Sequence, residues 1–171
     1  MCISKIILIF LFSFFFLCNS HAFMDSSGEG AQSTGREDLS FLEAKNSNFK
    51  KGRDALKQAL KYEKKNKLKK ANKKFEKALK FFVAAYEETP YNVEIINLLG
   101  FTYFKVGDLL MTEIYYKEGL SIDPKNSLIN GRLGLLYLKT NRLNLAKERL
   151  KTLSDCDCEE YIQLKSIIDK Y

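Results

Sequence analysis

The sequence is poor in the residues that most often carry catalysis and metal binding. Its 171 residues include one histidine, His21, which lies close to the N-terminus. Histidine is a frequent general base and the commonest metal ligand, so most hydrolase and metalloenzyme functions are not expected here. Proline occurs only as Pro90 and Pro124. With so few helix-breaking residues, the chain can form helices over most of its length.

The first 22 residues are typical of a secretory signal peptide. Lys5 precedes the apolar run Ile6–Leu17, and Ser20 and Ala22 are small residues at the third and the last position before the expected cleavage site. The run of 12 residues is shorter than the roughly 20 that a membrane-spanning helix needs. We therefore predict cleavage after Ala22 and export, which in a Gram-negative cell leads to the periplasm. The alternatives are an uncleaved membrane anchor and a lipoprotein signal.

Removal of residues 1–22 would leave a chain without histidine and with Cys156 and Cys158 as its only cysteines. We therefore predict no enzymatic activity, no cofactor and no metal ion. Residues 23–44 are rich in glycine, serine, threonine and acids, and no helical period is sustained there, so we predict a flexible leader. Apolar residues recur at helical spacing from residue 45 onward, which predicts a helical domain over 45–171.

An internal repeat with a period of 34 residues occupies the second half of the chain. The recurring pairs are Leu99 and Leu133, Gly100 and Gly134, Tyr103 and Tyr137, and Leu109 and Leu143. This period and pattern resemble the tetratricopeptide repeat (TPR), a unit of two antiparallel helices. The positions that match the TPR pattern are Ile96, Leu99, Gly100, Tyr103, Gly107, Tyr116 and Pro124. The resemblance implies an all-α fold, a right-handed superhelical stack of antiparallel helix pairs known as an α-solenoid.

An earlier and more degenerate unit precedes these two repeats. Tyr62 precedes Tyr103 by 41 residues, whereas Pro90 precedes Pro124 by 34. The difference of seven residues is about two helical turns, so the apolar face of the helix keeps its direction. We therefore predict a first helix near 49–64 and an unusually long second helix near 68–88.

The predicted organisation is three repeats followed by a helix that caps the stack. The repeats span approximately 52–90, 93–126 and 127–157, and the capping helix spans 158–170. Gly100 and Gly134 lack a side chain, so we expect the second helix of each pair to approach them closely. Gly107 and Asn141 are expected in the left-handed conformation that ends a helix.

The TPR resemblance also implies which residues face a binding groove. In such stacks the first helix of each pair lines the concave surface. The residues expected to point into it are Glu94, Asn97, Phe101, Phe104, Lys105, Leu128, Gly131, Leu135, Leu138 and Lys139. Phe101 and Leu135 stand where the family's carboxylate clamp would need asparagine, so that clamp is not expected. The apolar strip instead suits an amphipathic helix or an extended apolar peptide, unless the N-terminal helix or the capping helix fills it.

Cys156 and Cys158 lie between the last repeat and the capping helix, in the sequence SDCDCEEY. Asp157 and Glu160 form a capping-box pattern, so one interpretation of this stretch is a helix start. The other is a disulfide in an oxidising compartment, which would close a very small ring. The stretch resembles small exported repeat proteins of alphaproteobacteria, in which the two cysteines stand further apart. Two thiols alone do not complete a tetrahedral metal site.

Lysine is concentrated in residues 45–80. This segment has a net charge of +12, whereas the rest of residues 23–171 has a net charge of −6. On the predicted long helix, Lys70, Lys73, Lys74 and Lys77 lie opposite the apolar residues and form a basic face. This face suits an acidic protein or an anionic membrane surface, whereas nucleic acid is disfavoured because the chain has only five arginines. A solvated face without a partner is the other interpretation.

These features predict a non-catalytic, exported scaffold that mediates protein–protein interaction through its concave groove during assembly of an envelope complex. The alternative is a membrane-apposed assembly factor that binds anionic lipid or an acidic partner through the basic face. An enzyme is a third class of function, but the sequence contains no nucleophile and general base in a recognisable motif.

Overall fold

Residues 35–170 form seven α-helices joined by short turns. The computed structural model describes the backbone of these residues and the side chains of residues 47–170, so the predicted signal peptide (1–22) and residues 23–34 of the predicted leader lie outside the described residues. The helices are α1 (Gly35–Lys64), α2 (Leu68–Glu88), α3 (Val93–Val106), α4 (Leu109–Ile122), α5 (Ser127–Lys139), α6 (Leu143–Thr152) and α7 (Glu159–Ile168). Consecutive helices pack against each other, and α7 also packs against α5. Over the described residues this is the all-α solenoid that the sequence predicts, without any strand.

Helix α2 has the bounds that the sequence predicts, but α1 is longer than expected. It begins at Gly35 rather than near residue 49, so residues 35–44, which the sequence places in a flexible leader, are helical. Extending an existing helix costs far less than nucleating one, so a helix packed along its C-terminal half can continue through a segment without an apolar period. None of the seven helices is long and apolar enough to cross a membrane.

Local signals fix where each helix pair turns. Asn92, Asp108 and Asn126 are the N-caps of α3, α4 and α5, and each side chain accepts hydrogen bonds from backbone N–H groups of the first helical turn at 2.9–3.2 Å. Gly107 (φ 91°) and Asn141 (φ 57°) adopt the left-handed conformation that the sequence predicts. Short turns of this kind reverse the chain direction, so successive helices pack antiparallel.

The two glycines that the repeat pattern singles out both allow unusually close contacts between helices. Tyr116 of α4 lies over Gly100 of α3, where a Cβ atom would come within 2.5 Å of Cε1 of the ring. Gly134 of α5 has the same role, but its neighbour is Leu164 of α7, which would lie 2.5 Å from such a Cβ atom. The prediction that α6 approaches Gly134 is therefore wrong, because the capping helix packs on α5 at this position.

Two hydrophobic clusters form the interior of the described residues. The first lies between α1, α2 and α3 and contains Ala55, Leu56, Ala59, Ala71, Phe75, Ala78, Phe82, Ala85, Ile95 and Leu99. The second lies between α4, α5, α6 and α7 and contains Tyr116, Ile129, Leu133, Leu136, Tyr137, Leu138, Ala146, Leu153, Leu164 and Ile168. A hydrogen bond of 2.6 Å from the Tyr86 hydroxyl to Glu118 joins α2 to α4. This bond and partial burial raise the pKa of Tyr86 to about 12.

Candidate functional site

The odd-numbered helices line two clefts, which together we call the groove. The first cleft has a volume of about 720 Å³ and lies between α1 and α3. The second cleft has a volume of about 320 Å³ and lies between α3, α5 and α7, with Tyr116 of α4 at its base. Helix α3 contributes to both clefts, with Glu94 and Leu98 in the first and Phe101 and Phe104 in the second. The groove therefore follows the first helix of each pair, as the TPR resemblance implies.

The second cleft has apolar walls and a polar rim. Its walls are formed by four of the residues that the sequence places in the groove, Phe101, Phe104, Leu128 and Leu135. The rim is formed by Glu159, Glu160 and Gln163 of α7. All four apolar side chains keep some contact with solvent, and Leu128 is 38% exposed. Apolar walls with a few polar groups at the edge are typical of binding sites in proteins.

Arg132 of α5 also lines the second cleft, and it is the residue that the sequence analysis missed. Its guanidinium lies 4.6 Å from the centroid of the Phe101 ring. Its Nη1 donates a hydrogen bond of 2.8 Å to Oδ1 of Asn97. Burial lowers the pKa of Arg132, an effect that the nearby Tyr116 and Glu160 partly offset.

Arg132 belongs to none of the ion pairs among the described side chains. Partial burial removes water from around its charge, which strengthens its attraction for an anion that enters the cleft. The sequence did contain a signal for this residue. Leu128, Arg132, Leu135 and Lys139 are spaced by four, three and four residues, so they share one stripe of the helix.

Further cations of the groove lie over aromatic rings. Lys105 Nζ is 5.5 Å from the centroid of Phe101, Lys139 Nζ is 5.6 Å from that of Phe104, and Arg53 Cζ is 5.6 Å from that of Phe49. These distances fall within the roughly 6 Å at which a ring face attracts a cation. Lys105 also pairs with Glu63 at 2.8 Å. The lysines that the sequence predicts at the edge of the apolar strip therefore lie on the rings themselves.

Two residues that the sequence places in the groove do not present a surface there. Asn97 is 8% exposed and Leu138 is 4% exposed, so both are buried. Gly131 lines the second cleft, and Glu160 packs against it, with its Cβ 2.8 Å from where a Cβ atom on that glycine would lie. The cause is the position of α7, which packs on α5 and shares the second hydrophobic cluster with Leu138. The capping helix thus covers one end of the predicted strip and leaves the rest open.

The first cleft is lined mainly by residues of α1 that the sequence did not identify. Its apolar floor contains Phe49, Leu56 and Leu60 of α1 and Leu98 of α3. Its charged residues are Lys50, Arg53, Lys57, Asp54 and the predicted groove residue Glu94. Arg53 and Glu94 approach to 3.7 Å, but both side chains are mostly exposed, so this ion pair contributes little to stability. Three cations and two carboxylates therefore line the first cleft. The second cleft is lined by Arg132 and by two carboxylates of α7, and Lys105 and Lys139 lie over two of its aromatic rings.

The four lysines of the predicted basic face do not share one environment. Lys74 and Lys77 lie with Lys51 and Phe81 in a hollow between α1 and α2. The ammonium groups of Lys51 and Lys77 are 5.9 and 5.8 Å from the centroid of the Phe81 ring. Lys70 and Lys73 instead lie at the α1–α2 turn, together with Lys67 and Lys69. The predicted face is therefore divided between the side of the helix pair and its end.

Cys156 and Cys158 are joined by a disulfide, with their Cα atoms 5.2 Å apart. Helix α7 begins at Glu159 with Cys158 as its N-cap, and no side chain caps it. The predicted capping box of Asp157 and Glu160 is therefore wrong, because Glu160 packs over Gly131 at the rim of the second cleft. The described residues contain no group of three His, Cys, Asp or Glu side chains that could hold a metal ion.

Residues 37–146 match the model of a protein family described as an uncharacterized protein conserved in bacteria (DUF2225). The chain belongs to this family. The matched segment runs from α1 into α6, so it contains every helix that lines the first cleft but not α7, which forms the rim of the second. No curated protein matches the sequence of this family member.

Solved structures similar to this family member include TPR domains. The TPR domain of Arabidopsis OM64 matches with a TM-score of 0.61 at 17% identity, over 77% of this chain and 98% of that one. The second TPR domain of human RPAP3, in complex with the HSP70 peptide SGPTIEEVD, matches with a TM-score of 0.56 at 16% identity, over 74% and 99%. The Yersinia enterocolitica translocator chaperone SycD, in complex with a peptide of the translocator YopD, matches with a TM-score of 0.52 at 18% identity, over 69% and 86%. These likenesses confirm the predicted TPR-like fold.

Proposed function

We propose that the chain is a non-catalytic scaffold that binds a peptide or an amphipathic helix of a partner protein in its groove. The observation that carries this proposal is the second cleft, where the apolar side chains of Phe101, Phe104, Leu128 and Leu135 stay partly exposed beside Arg132. Contact between apolar surface and water is unfavourable, so a contiguous exposed patch of this kind favours a binding partner. The peptides bound by the RPAP3 domain and by SycD support a peptide ligand.

The charges of the groove favour one direction for the bound peptide. The first cleft has an excess of cations, from Lys50, Arg53 and Lys57. The α7 rim of the second cleft carries two carboxylates, from Glu159 and Glu160. A peptide with acidic residues toward α1, apolar residues over α3 and basic residues toward α7 complements both ends. Complementarity of this kind contributes more to specificity and register than to affinity.

We further propose that the scaffold acts after export, in the periplasm of a Gram-negative cell, in the assembly of an envelope complex. The pattern of Lys5, Ile6–Leu17 and Ala22 supports export. The intact mass of the exported protein tests this proposal. We expect a chain that begins at Phe23, and a species that retains Ile6–Leu17 would contradict cleavage.

Crosslinking in cells tests the groove before the partner is known. A photoreactive amino acid replaces Leu128, which lines the second cleft, and in a matched strain replaces Leu110, which is 71% exposed on α4 and lines neither cleft. We expect a discrete adduct from position 128 and none of the same mass from position 110. Equal adducts from both positions would mean that the contact is not made through the groove. Mass spectrometry of the adduct identifies the partner.

Two substitutions then separate binding from folding. Phe101→Ala and Leu135→Ala should each weaken the affinity for the identified partner by about 1–3 kcal/mol, because both remove an apolar anchor from the second cleft. Titration calorimetry measures the affinity, and thermal unfolding measures the stability of each variant. A loss of about 2–5 kcal/mol of unfolding free energy in both variants would show that these side chains belong to the core instead.

A further inference from the structure

The α1–α2 turn forms an exposed tip, which comprises residues 64–70 together with Lys73. All seven consecutive residues from 64 to 70 are exposed. Lys105, the penultimate residue of α3, reaches Glu63 of α1 and lies 5.8 Å from the ring of Phe75 of α2. Glu63 precedes the tip in the sequence and Phe75 follows it. The C-terminal end of α3 therefore packs where α1 and α2 meet the tip. The tip therefore lies at the end of the α1–α2 pair and is exposed to solvent.

The tip is strongly and uniformly basic. Residues 64–75 contain seven lysines and no acidic residue. The nearest acid on one side is Glu63, which is already paired with Lys105, and the nearest on the other side is Glu76. The lysines of the tip are Lys64, Lys65, Lys67, Lys69, Lys70 and Lys73. Their charges lie within a few helical turns of one another, so their fields add at the range of about 8–10 Å that salt leaves unscreened.

Lys64 lies in the last turn of α1, where a cation is favourable, but the lysines at the start of α2 do not stabilise that helix. Lys67 is the N-cap of α2 and forms no side-chain hydrogen bond to the helix, and the first turn contains no acidic residue. Positive charge at the start of a helix opposes the helix dipole, and neighbouring lysines repel one another. Folding alone therefore does not account for the composition of the tip, and an anionic partner would neutralise it.

Leu68 adds an apolar side chain to the tip. It is 58% exposed, although α2 offers a buried face only three residues later at Ala71. Leu68 is one of the residues that line a shallow hollow of about 510 Å³, and the others are Asn66, Lys67, Lys69, Lys70 and Lys73. An exposed leucine between lysines is the arrangement of peripheral membrane anchors, in which the apolar side chain enters the interface while the cations meet the headgroups.

We propose that this tip binds the surface of an anionic phospholipid bilayer, with its lysines against headgroup phosphates and Leu68 in the interfacial layer. Lysine is a compact point charge that suits a diffuse anionic surface, whereas phosphate recognition in nucleic acids favours the arginine fork. Binding of single-stranded nucleic acid also relies on stacking against aromatic side chains, and the tip residues include none. The site is separate from the groove, so the chain holds its groove partner beside a membrane.

Vesicle binding of the full-length chain tests the proposal. The chain is mixed with vesicles of phosphatidylcholine alone or with 30 mol% phosphatidylglycerol, and the fraction that sediments is measured at 0.15 M salt. The apolar run Ile6–Leu17 is present in every variant, so the readout is the ratio of the two partition coefficients. We expect a strong preference of the wild-type chain for the anionic vesicles, which falls as the salt concentration rises. Each lysine near an anionic surface strengthens binding about fivefold, so Lys65, Lys67, Lys69 and Lys70 changed together to Gln should reduce the ratio at least about 100-fold.

Two further variants keep the test specific. Lys147→Gln combined with Lys151→Gln removes exposed lysines of α6, far along the chain from the tip, and should leave the ratio nearly unchanged. Leu68→Ser should weaken binding to anionic vesicles while the helical circular dichroism stays that of the wild type.

The proposal is overturned if the tip variant binds anionic vesicles as well as the wild type does, or if the α6 variant loses as much. Preference for single-stranded DNA over anionic vesicles at equal charge would also overturn it. None of the substituted residues lines the groove, so the vesicle experiment and the crosslinking experiment test the two proposals separately.

Discussion

The two hydrophobic clusters are built from different side chains on helices of different length. The first joins α1 and α2, of 30 and 21 residues, to α3, and half of its buried members are alanines, with Phe75 and Phe82 between them. The second joins α4, α5, α6 and α7, of 14, 13, 10 and 10 residues, and has one alanine, Ala146, among leucine, isoleucine and tyrosine. The chain therefore obtains its interior in two ways, through long helices in close contact or through large side chains on short helices.

This difference has a physical reason. Alanine favours the helical conformation and loses no side-chain entropy when it is buried, so an alanine-lined interface costs little conformational entropy. Each alanine buries little apolar surface, however, so the interface must be long to stabilise the fold. A short helix offers few positions, so each buried side chain must be large. In a stack where each unit contacts only its neighbours, the two ends can then differ in stability. The first end depends on two phenylalanines, and the second depends on many aliphatic side chains.

The largest expected effect comes from removing one of those phenylalanines. Phe82 is fully buried between α1 and α2, so Phe82→Ala should lower the free energy of unfolding by about 3–5 kcal/mol. Leu133→Ala in the second cluster should cost about 2–5 kcal/mol. Hydrogen exchange locates the loss: Phe82→Ala should speed exchange mainly in α1 and α2, and Leu133→Ala mainly in α5 and α6. Equal acceleration throughout in both variants would show that the clusters unfold as one unit and would remove the distinction.

A smaller effect is expected from overfilling the alanine-lined interface. Ala78 has no exposed surface, so Ala78→Leu must separate α1 from α2 or force strained side chains, at a cost of about 1–3 kcal/mol in denaturant unfolding. Lys80→Leu on the exposed face of the same helix is the control for added apolar surface and should change stability by less than about 0.5 kcal/mol. A stabilised Ala78→Leu variant would mean that the first cluster contains unfilled space rather than close contacts.

The smallest effect concerns an ion pair that joins the second and third repeats. Glu113 of α4 lies 2.7 Å from Arg142 at the start of α6 and 2.7 Å from Lys117. The hydrogen bond from Arg142, helped by Lys117, lowers the pKa of Glu113. A lowered folded-state pKa means that the unfolded chain binds more protons, so this stabilisation is present above the ordinary pKa of 4.5 and is lost as the pH falls through the folded value.

Glu113→Gln should therefore cost about 1 kcal/mol at pH 7 and less at pH 3. Denaturant unfolding of both chains at the two pH values measures the difference. Glu148 is exposed on α6 and takes part in no ion pair among the described side chains, so Glu148→Gln is the matched control. A loss as large at pH 3 as at pH 7 would assign the effect to packing rather than to charge.

Sequence periodicity predicts the helices of this chain well because each landmark has a single physical cause. Only a residue that tolerates positive φ can stand at Gly107 or Asn141, and the offsets of 41 and 34 residues locate both ends of α2. The groove is predicted less well. Periodicity identifies the face of α5 but not the helix that packs against it, so the burial of Leu138 by its neighbours was missed.

Two other errors have separate causes. Arg132 is not among the residues that the repeat pattern places in the groove, although its spacing from Leu128 and Leu135 puts it in the second cleft. The first cleft escaped because α1 lacks the Leu-Gly and Tyr landmarks at the 34-residue period. Its stripe of Phe49, Arg53, Leu56 and Leu60 is visible in the sequence once the course of α1 is known. Repeat matching therefore finds the regular units and overlooks the divergent one.

Helix α2 has seven residues more than α4, the second helix of the next repeat, and the length of the α1–α2 pair can change in steps of this size. Seven residues add about 10 Å of helix while turning the apolar face by only about 20° from its starting direction. Another insertion or deletion of that length, matched in α1, would move the end of the hairpin outward or inward without repacking Phe75 or Phe82 against their neighbours. Insertions of five or six residues would rotate the same face away from its partner helix. The first repeat can therefore set the distance between the groove and the end of the α1–α2 pair in steps of about two helical turns.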